Sequence, residues 1–227
     1  AAGPAAGVAA RVLTFALAFC VLDLWHYAFH VLAHKVPALW RFHVVHHNDP
    51  HVDVTTANRF HFGEVAIQQA LSLPLYLLLG VGVFELLVYN AVLVPVALFH
   101  HANVRVPPRV DRLLSALIVT PSMHFVHHSK WVEETDSNFS AVLSVWDRLF
   151  RTYRRRPVEE IDFGLGGYEE RDYATLRGML ATPLERAKAT LGEPGGRAGG
   201  GAPRPDAPGA EVEAKAAVPT PAARSRA

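Results

Sequence analysis

The chain has 227 residues, half of them hydrophobic, with 22 basic and 21 acidic side chains for a formal charge of +1. That length suits a single domain. The near-neutral balance leaves no electrostatic footprint for a nucleic acid. The one cysteine, Cys20, rules out an intrachain disulfide framework and a cysteine-based zinc site.

The average composition hides a split chain. Residues up to about 150 are apolar and rich in histidine, whereas those after about 190 are rich in Ala, Gly and Pro. Residues 1–7 read as a short leader, 8–188 as one unit that opens with the apolar, histidine-rich sequence and 189–227 as a disordered tail without apolar anchors. Ala1 is not an initiator Met, so the expectation is a processed, trimmed or fragmentary chain with no cleavable signal peptide.

Val8 to Leu22 is apolar except for Arg11 and Thr14, and it runs directly into Asp23-Leu-Trp-His26. The pattern predicts one long helix, its first half in lipid and its second half carrying His26, His30 and His34 along one face. Trp25, Tyr27 and Trp40 suit a membrane–water interface. Pro37 and Trp40-Arg41 mark a turn into a helix over His43–His47, which Asn48-Asp49-Pro50 ends. A loop with a short helix follows as far as Phe62, and Glu64 opens the next helix.

From Val65 to Phe99 the chain is almost wholly apolar, too long for one span and suited to two short ones. Gly80 and Gly82 supply a break, which predicts a hairpin, 65–79 out and 83–101 back. Such a hairpin returns His100 and His101 to the side it left. A polar connection, an amphipathic stretch over Asp111–Val119 and Pro121 lead to a second histidine turn, and 138–153 reads as a loop and a short helix. Arg148, Arg151, Arg154, Arg155 and Arg156 form a basic cluster that suits either a solvated face or anionic lipid heads. Residues 157–188 read as a cytosolic lid or flank.

All 13 histidines lie between His26 and His128. Two turns share the form His-x-x-His-His: His43-Val-Val-His46-His47 and His124-Phe-Val-His127-His128. Positions i, i+3 and i+4 share a helix face, so each copy is expected to aim three imidazoles at one point. Imidazole is the commonest protein ligand for borderline metals. A row of satisfied core histidines does not explain so many clustered polar rings in apolar surroundings. Eight or nine imidazoles exceed one ion and fit two. No Glu stands three residues before a His, so the pattern of carboxylate-bridged di-iron bundles is absent and an all-nitrogen pair is expected. Nitrogen ligands alone do not select iron over zinc. Spacing leaves both His26/His30 and His30/His34 open as the first pair.

The order and spacing of these residues resemble the fatty acid hydroxylase / sterol desaturase superfamily. The resemblance is carried by Asp23, His30, His34, Trp40, His43, His46 and His47, then by Arg59-Phe-His61-x-x-Glu64 and Phe99-His-His101-Ala-Asn. It continues through Thr120-Pro-x-x-His124-x-x-His127-His128-Ser129, Asp136-Ser-Asn138 and Leu143-Ser-x-Trp146-Asp-Arg-Leu-Phe150, covering about 20–185. Val31 and Phe62 depart from the family's usual Arg and Pro, and neither is a proposed ligand.

The resemblance implies an all-α integral membrane bundle with a histidine-rich di-metal centre on the cytoplasmic side, a bacterial inner membrane being one setting. It implies His30, His34, His43, His46, His47, His101, His124, His127 and His128 as metal ligands. His101 is favoured over His100, His26 becomes a spare or outer group, and His61 and Glu64 become residues that orient ligands. The implied activity is O2-dependent hydroxylation or desaturation of a lipid C–H bond on an acyl chain, sterol or carotenoid-like substrate. Two irons would serve it, with zinc as a possible substitute in purified protein. No flavin, haem or ferredoxin motif is present, so electrons come from a separate ferredoxin, cytochrome or flavoprotein reductase. A non-enzymatic zinc-binding membrane protein is the main competing class. Transporters place ligands inside their spans, whereas these histidines flank the apolar runs. A bis-histidine haem carrier leaves the two doublets unexplained.

Overall fold

The computed structural model describes residues 4–165 and 174–190. Among them are nine α-helices and no strand, only two isolated antiparallel bridges, Ile118–Leu143 and Ser129–Phe163. The segment expected to be disordered, from about 192, lies outside the described residues.

Helix α1 (Pro4–Lys35) runs for 32 residues, about 48 Å at 1.5 Å per residue. Its apolar first half is bare, with Val8, Val12, Leu13 and Leu17 all more than half exposed. Its second half is packed, with Leu22, Tyr27, Phe29 and Ala33 buried. The expected division of one helix into a bare apolar half and a packed half is met. The hairpin is met as well. Helix α3 (Phe62–Leu79) and helix α4 (Val83–His101) are joined through Gly80, whose φ of 64° is the left-handed conformation a glycine takes at a helix end. Helices α1, α3 and α4 are each long and apolar enough to cross a membrane. The C-terminal ends of α1 and α4 and the N-terminal end of α3 gather at the histidines.

The register of the hairpin against α1 is fixed by polar bonds. Trp25 Nε1 donates to Ser72 Oγ at 2.6 Å, and Tyr89 Oη donates to Asp23 Oδ1 at 3.1 Å. Around them Leu22, Tyr89 and Val142 form a buried cluster flanked by Phe19 and Val81. Asp23 is fully buried and also accepts from Val142 N, Leu143 N and Trp146 Nε1, at 2.8–3.1 Å. A carboxylate can accept at several lone pairs, and four donors converge here. One residue of α1 thereby holds α4 and the 142–146 segment.

Helix α2 (Pro37–His47) begins earlier than the Trp40-Arg41 turn suggested, because Pro37 serves as its first residue, where the missing N–H costs nothing. Arg59 closes its far end by donating to Val45 O and Asn48 Oδ1. Helices α5 (Pro108–Leu114), α6 (Pro121–His127), α7 (Val132–Thr135) and α8 (Val145–Leu149) are short. Helix α9 (Leu176–Thr190) packs on α2. Of the basic cluster, Arg148 donates to Ser115 O, Arg155 pairs with Asp111 and Arg156 pairs with Glu134 and Glu160. Arg151 and Arg154 stay exposed.

Candidate metal centre

The nine histidines expected from sequence converge in two adjoining groups. His30, His34, His43, His47 and His127 form one, and His46, His101, His124 and His128 form the other. Within each group the candidate nitrogen atoms all lie within 4.8 Å of one another. The groups touch: ring centroids are 4.6 Å apart for His47 and His128 and 5.2 Å for His127 and His124. All but the half-buried His30 are buried.

The triads do not aim at one point, as the shared-face reading expected. Each divides between the groups. His43 and His47 join the first while His46 turns to the second; His124 and His128 join the second while His127 turns to the first. Helical geometry gives the reason. At about 100° per residue, positions i and i+4 differ by about 40°, whereas i+3 and i+4 differ by about 100°. Two facing copies therefore build two sites, each using the i, i+4 pair of one helix and the i+3 ring of the other. His30 and His34 from α1 complete the first, and His101 from the end of α4 completes the second.

The rings are oriented by what their Nδ1 atoms touch. His30 Nδ1 is 2.8 Å from Phe139 O, His127 Nδ1 is 2.7 Å from Ser137 O, and His101 Nδ1 is 2.8 Å from Ala97 O. His43 Nδ1 is 2.7 Å from Glu64 Oε1. A carbonyl or carboxylate can only accept, so Nδ1 carries the proton and Nε2 presents a lone pair. The Nε2 atoms of His30, His43 and His127 are buried without a partner. In the second group His101 Nε2 lies 3.0–3.3 Å from the Nε2 atoms of His46, His124 and His128. Lone pairs converging without donors are what a cation satisfies, so the residues present fit a pair of metal ions. Outer partners of this kind fix ring orientation and raise ligand basicity.

Electrostatics agree. Burial holds the imidazoles of His46, His47, His124, His127 and His128 well below the ordinary histidine range, and neighbouring rings push them further down. The rings are thus neutral at pH 7, with lone pairs free.

Two outer residues were not legible as such from spacing. Phe139 packs on His30, His34 and His127 and supplies the carbonyl for His30. It is held by Asp147, whose carboxylate accepts from Phe139 N, Ser140 N and Thr152 Oγ1. Asn138, in the left-handed region at φ 53°, bonds Met123 O and both the N and O of Arg154. Of the residues expected to orient ligands, Glu64 does so and His61 does not. His61 Nδ1 accepts from Gly63 N at the start of α3, and its other nitrogen faces Leu180 O. His100 stacks on His124 at 4.1 Å between centroids but joins neither group. His26 bonds its own helix at Leu22 O and lines an adjoining cavity.

That cavity has a volume of about 230 Å³ and lies between α1, α3 and α4 against both groups. Leu93, Val94, Ala97 and Leu98 form its apolar wall, and His43, His46 and His101 form part of its floor.

Fold and site together define a helical protein with three helices long and apolar enough to cross a membrane and two adjoining all-histidine groups that could hold metal ions, beside a largely apolar cavity. The fatty acid hydroxylase family model matches residues 15–152, and the chain belongs to that family. It is 33% identical to ornithine lipid hydroxylase OlsE of Rhizobium tropici over 174 residues, 75% of this chain and 50% of the relative. Alkylglycerol monooxygenase of Danio rerio is 31% identical over 140 residues, 62% of this chain and 30% of the relative. Cholesterol 25-hydroxylase of Mus musculus is 27% identical over 150 residues, 62% and 47% of the two chains. The chain thus spans half or less of the length of these relatives. No solved structure matches it.

Proposed function

We propose that the chain is an O2-dependent, non-haem di-iron oxidoreductase that hydroxylates or desaturates a C–H bond of a membrane lipid. The observation that carries this reading is the pair of adjoining histidine groups with lone pairs turned inward beside an apolar cavity. Names of relatives, two hydroxylases and a monooxygenase of lipids, point the same way.

In this reading His30, His34, His43, His47 and His127 hold one ion, and His46, His101, His124 and His128 hold the other. When bound, iron supplies O2 activation and the oxidising power for C–H cleavage, with electrons from an external redox protein. The protein's own part is placement. Phe139 O, Ser137 O, Ala97 O and Glu64 Oε1 lock four rings with Nε2 inward. The apolar wall from α4 seats a hydrocarbon against the floor of imidazoles and keeps water away from it. On this reading residues 8–188 are the catalytic unit and the centre lies at the cytoplasmic face of the membrane, where soluble donors reach it; the helix ends gathered at the histidines support a centre near one membrane face. A zinc-storage role would give the cavity no purpose.

The test is mass spectrometry of lipids from cells expressing the wild type or His127→Ala, grown under 18O2. A labelled hydroxylated lipid, or a new double bond, present only with the wild type supports the reading. Identical lipid profiles in both, with both proteins present at equal levels, overturn it.

A further inference from the structure

Glu64 holds an oxygen that the metal centre does not use. Its side chain is buried, at 6% exposure. Oε1 accepts from His43 Nδ1 at 2.7 Å, yet Oε2 is buried with no partner. A buried acceptor left bare costs free energy, so such an atom calls for an explanation. Glu64 also lines the cavity, and Gln68, one helical turn further along α3, lines it too. Asn58 joins them. These three polar side chains come from α3 and the loop before it. The opposite wall is Leu93, Val94, Ala97 and Leu98 of α4. The cavity therefore carries polar groups from α3 and its preceding loop, beside Ala57 and Phe60, as well as the apolar wall of α4.

We propose that Glu64 Oε2 is the acceptor of a substrate-binding subsite that takes an O–H or N–H at the polar end of an amphiphile. The proposal rests on the oxidoreductase reading of the site for its meaning, not for its geometry. Three steps lead to it. First, His43 turns Nε2 toward its group, so Nδ1 keeps the proton and Oε1 stays occupied. Second, Oε2 is then the oxygen of Glu64 left without a partner, and, since Glu64 lines the cavity, the cavity's occupant is the donor assigned to it. Third, the apolar α4 wall fits the hydrocarbon that continues from that donor. Because Glu64 is bonded directly to a ring of the metal centre, only one carboxylate and one imidazole separate the donor from it. The substrate class that follows is a lipid with a hydroxyl, amide or amine close to the carbon to be oxidised. A plain hydrocarbon end, or a polar end that only accepts, leaves Oε2 bare. Glu64 is thus a positioning residue with two tasks, one for each oxygen.

The variant Glu64→Gln separates the tasks. Its Oε1 still accepts from His43 Nδ1, which forces Nε2 toward the cavity and replaces an acceptor with a donor. The probes are 1-dodecanol and dodecyl methyl ether, which share a chain and differ in the donor. Their binding to metal-loaded protein in detergent is read by displacement of a fluorescent fatty acid, with bound metal measured in each sample. The wild type is expected to favour the alcohol by about tenfold or more, as one charge-assisted hydrogen bond allows. In Glu64→Gln, compared at matched bound metal, that preference should fall to within about twofold. Ala97→Leu, which fills the shared cavity, should weaken both probes alike.

Equal affinity of the wild type for alcohol and ether overturns the proposal without any variant. So does an unchanged preference in Glu64→Gln. Because the readout is binding, it does not depend on turnover. A preserved alcohol preference with no lipid oxidation would leave the subsite standing and remove the oxidoreductase reading; oxidation without the preference would do the reverse.

Discussion

Asp23→Asn is the smallest change that attacks the frame of the metal centre without touching a proposed ligand. Oδ2 of Asp23 accepts from Leu143 N at 2.9 Å and Trp146 Nε1 at 2.8 Å; Oδ1 accepts from Tyr89 Oη and Val142 N. An asparagine keeps one acceptor and turns an NH2 toward the other pair, so two buried donors meet a donor. At roughly 1–3 kcal/mol for each unsatisfied buried group, the variant loses about 2–6 kcal/mol. For a chain of this size that lowers the melting temperature by on the order of 10 °C. Tyr89→Phe removes a single bond and should cost about 1 kcal/mol. The assay is thermal unfolding in detergent followed by tryptophan fluorescence, with bound metal measured on the same samples. Metal retention should fall in Asp23→Asn as well. The segment released at 142–146 continues into Phe139, whose carbonyl orients His30. A melting temperature within 2 °C of the wild type for Asp23→Asn would refute the reasoning.

His46→Ala and His127→Ala should each lose bound metal and lipid oxidation, whereas the exposed His51→Ala should keep both; elemental analysis of purified variants reads this, and equal losses in all three would contradict it. Stability of the metal-free protein should be flat above about pH 7.5, where rings are neutral in both folded and unfolded chains. Below that the unfolded chain takes up protons that the depressed folded imidazoles refuse, so stability should fall by up to about 1.4 kcal/mol per pH unit per ring, read from melts between pH 8 and 5. Phe62→Cys and Val104→Cys, exposed at the two feet of the hairpin, should label from the same side of the membrane; labelling from opposite sides would contradict the hairpin's topology.

Long apolar runs, a glycine break and repeated histidine spacing made α1, the hairpin and all nine clustered histidines legible in the sequence. These signals are local: each depends on residues within a few helical turns. The division of each triad was missed because a shared face is a coarse statement, and the 40° and 100° offsets decide the outcome only when two copies face each other. The Asp23 clamp joins residues 66 to 123 positions apart, and no periodicity announces it. Glu64 was legible as an outer residue, but its bare oxygen was not, since a missing partner is visible only in three dimensions. His61 was misplaced for the same reason: its part in starting α3 depends on a backbone turn at Gly63 rather than on its distance along the chain from His43.

The most direct test of the account is metal stoichiometry and coordination in purified protein from iron-supplied cells, by elemental analysis together with X-ray absorption at the iron edge. The account expects about two iron ions per chain, ligated by imidazole nitrogen from the protein, with occupancy lost in His46→Ala and His127→Ala. One ion or none per chain in folded protein, or protein ligands dominated by carboxylate, would contradict it.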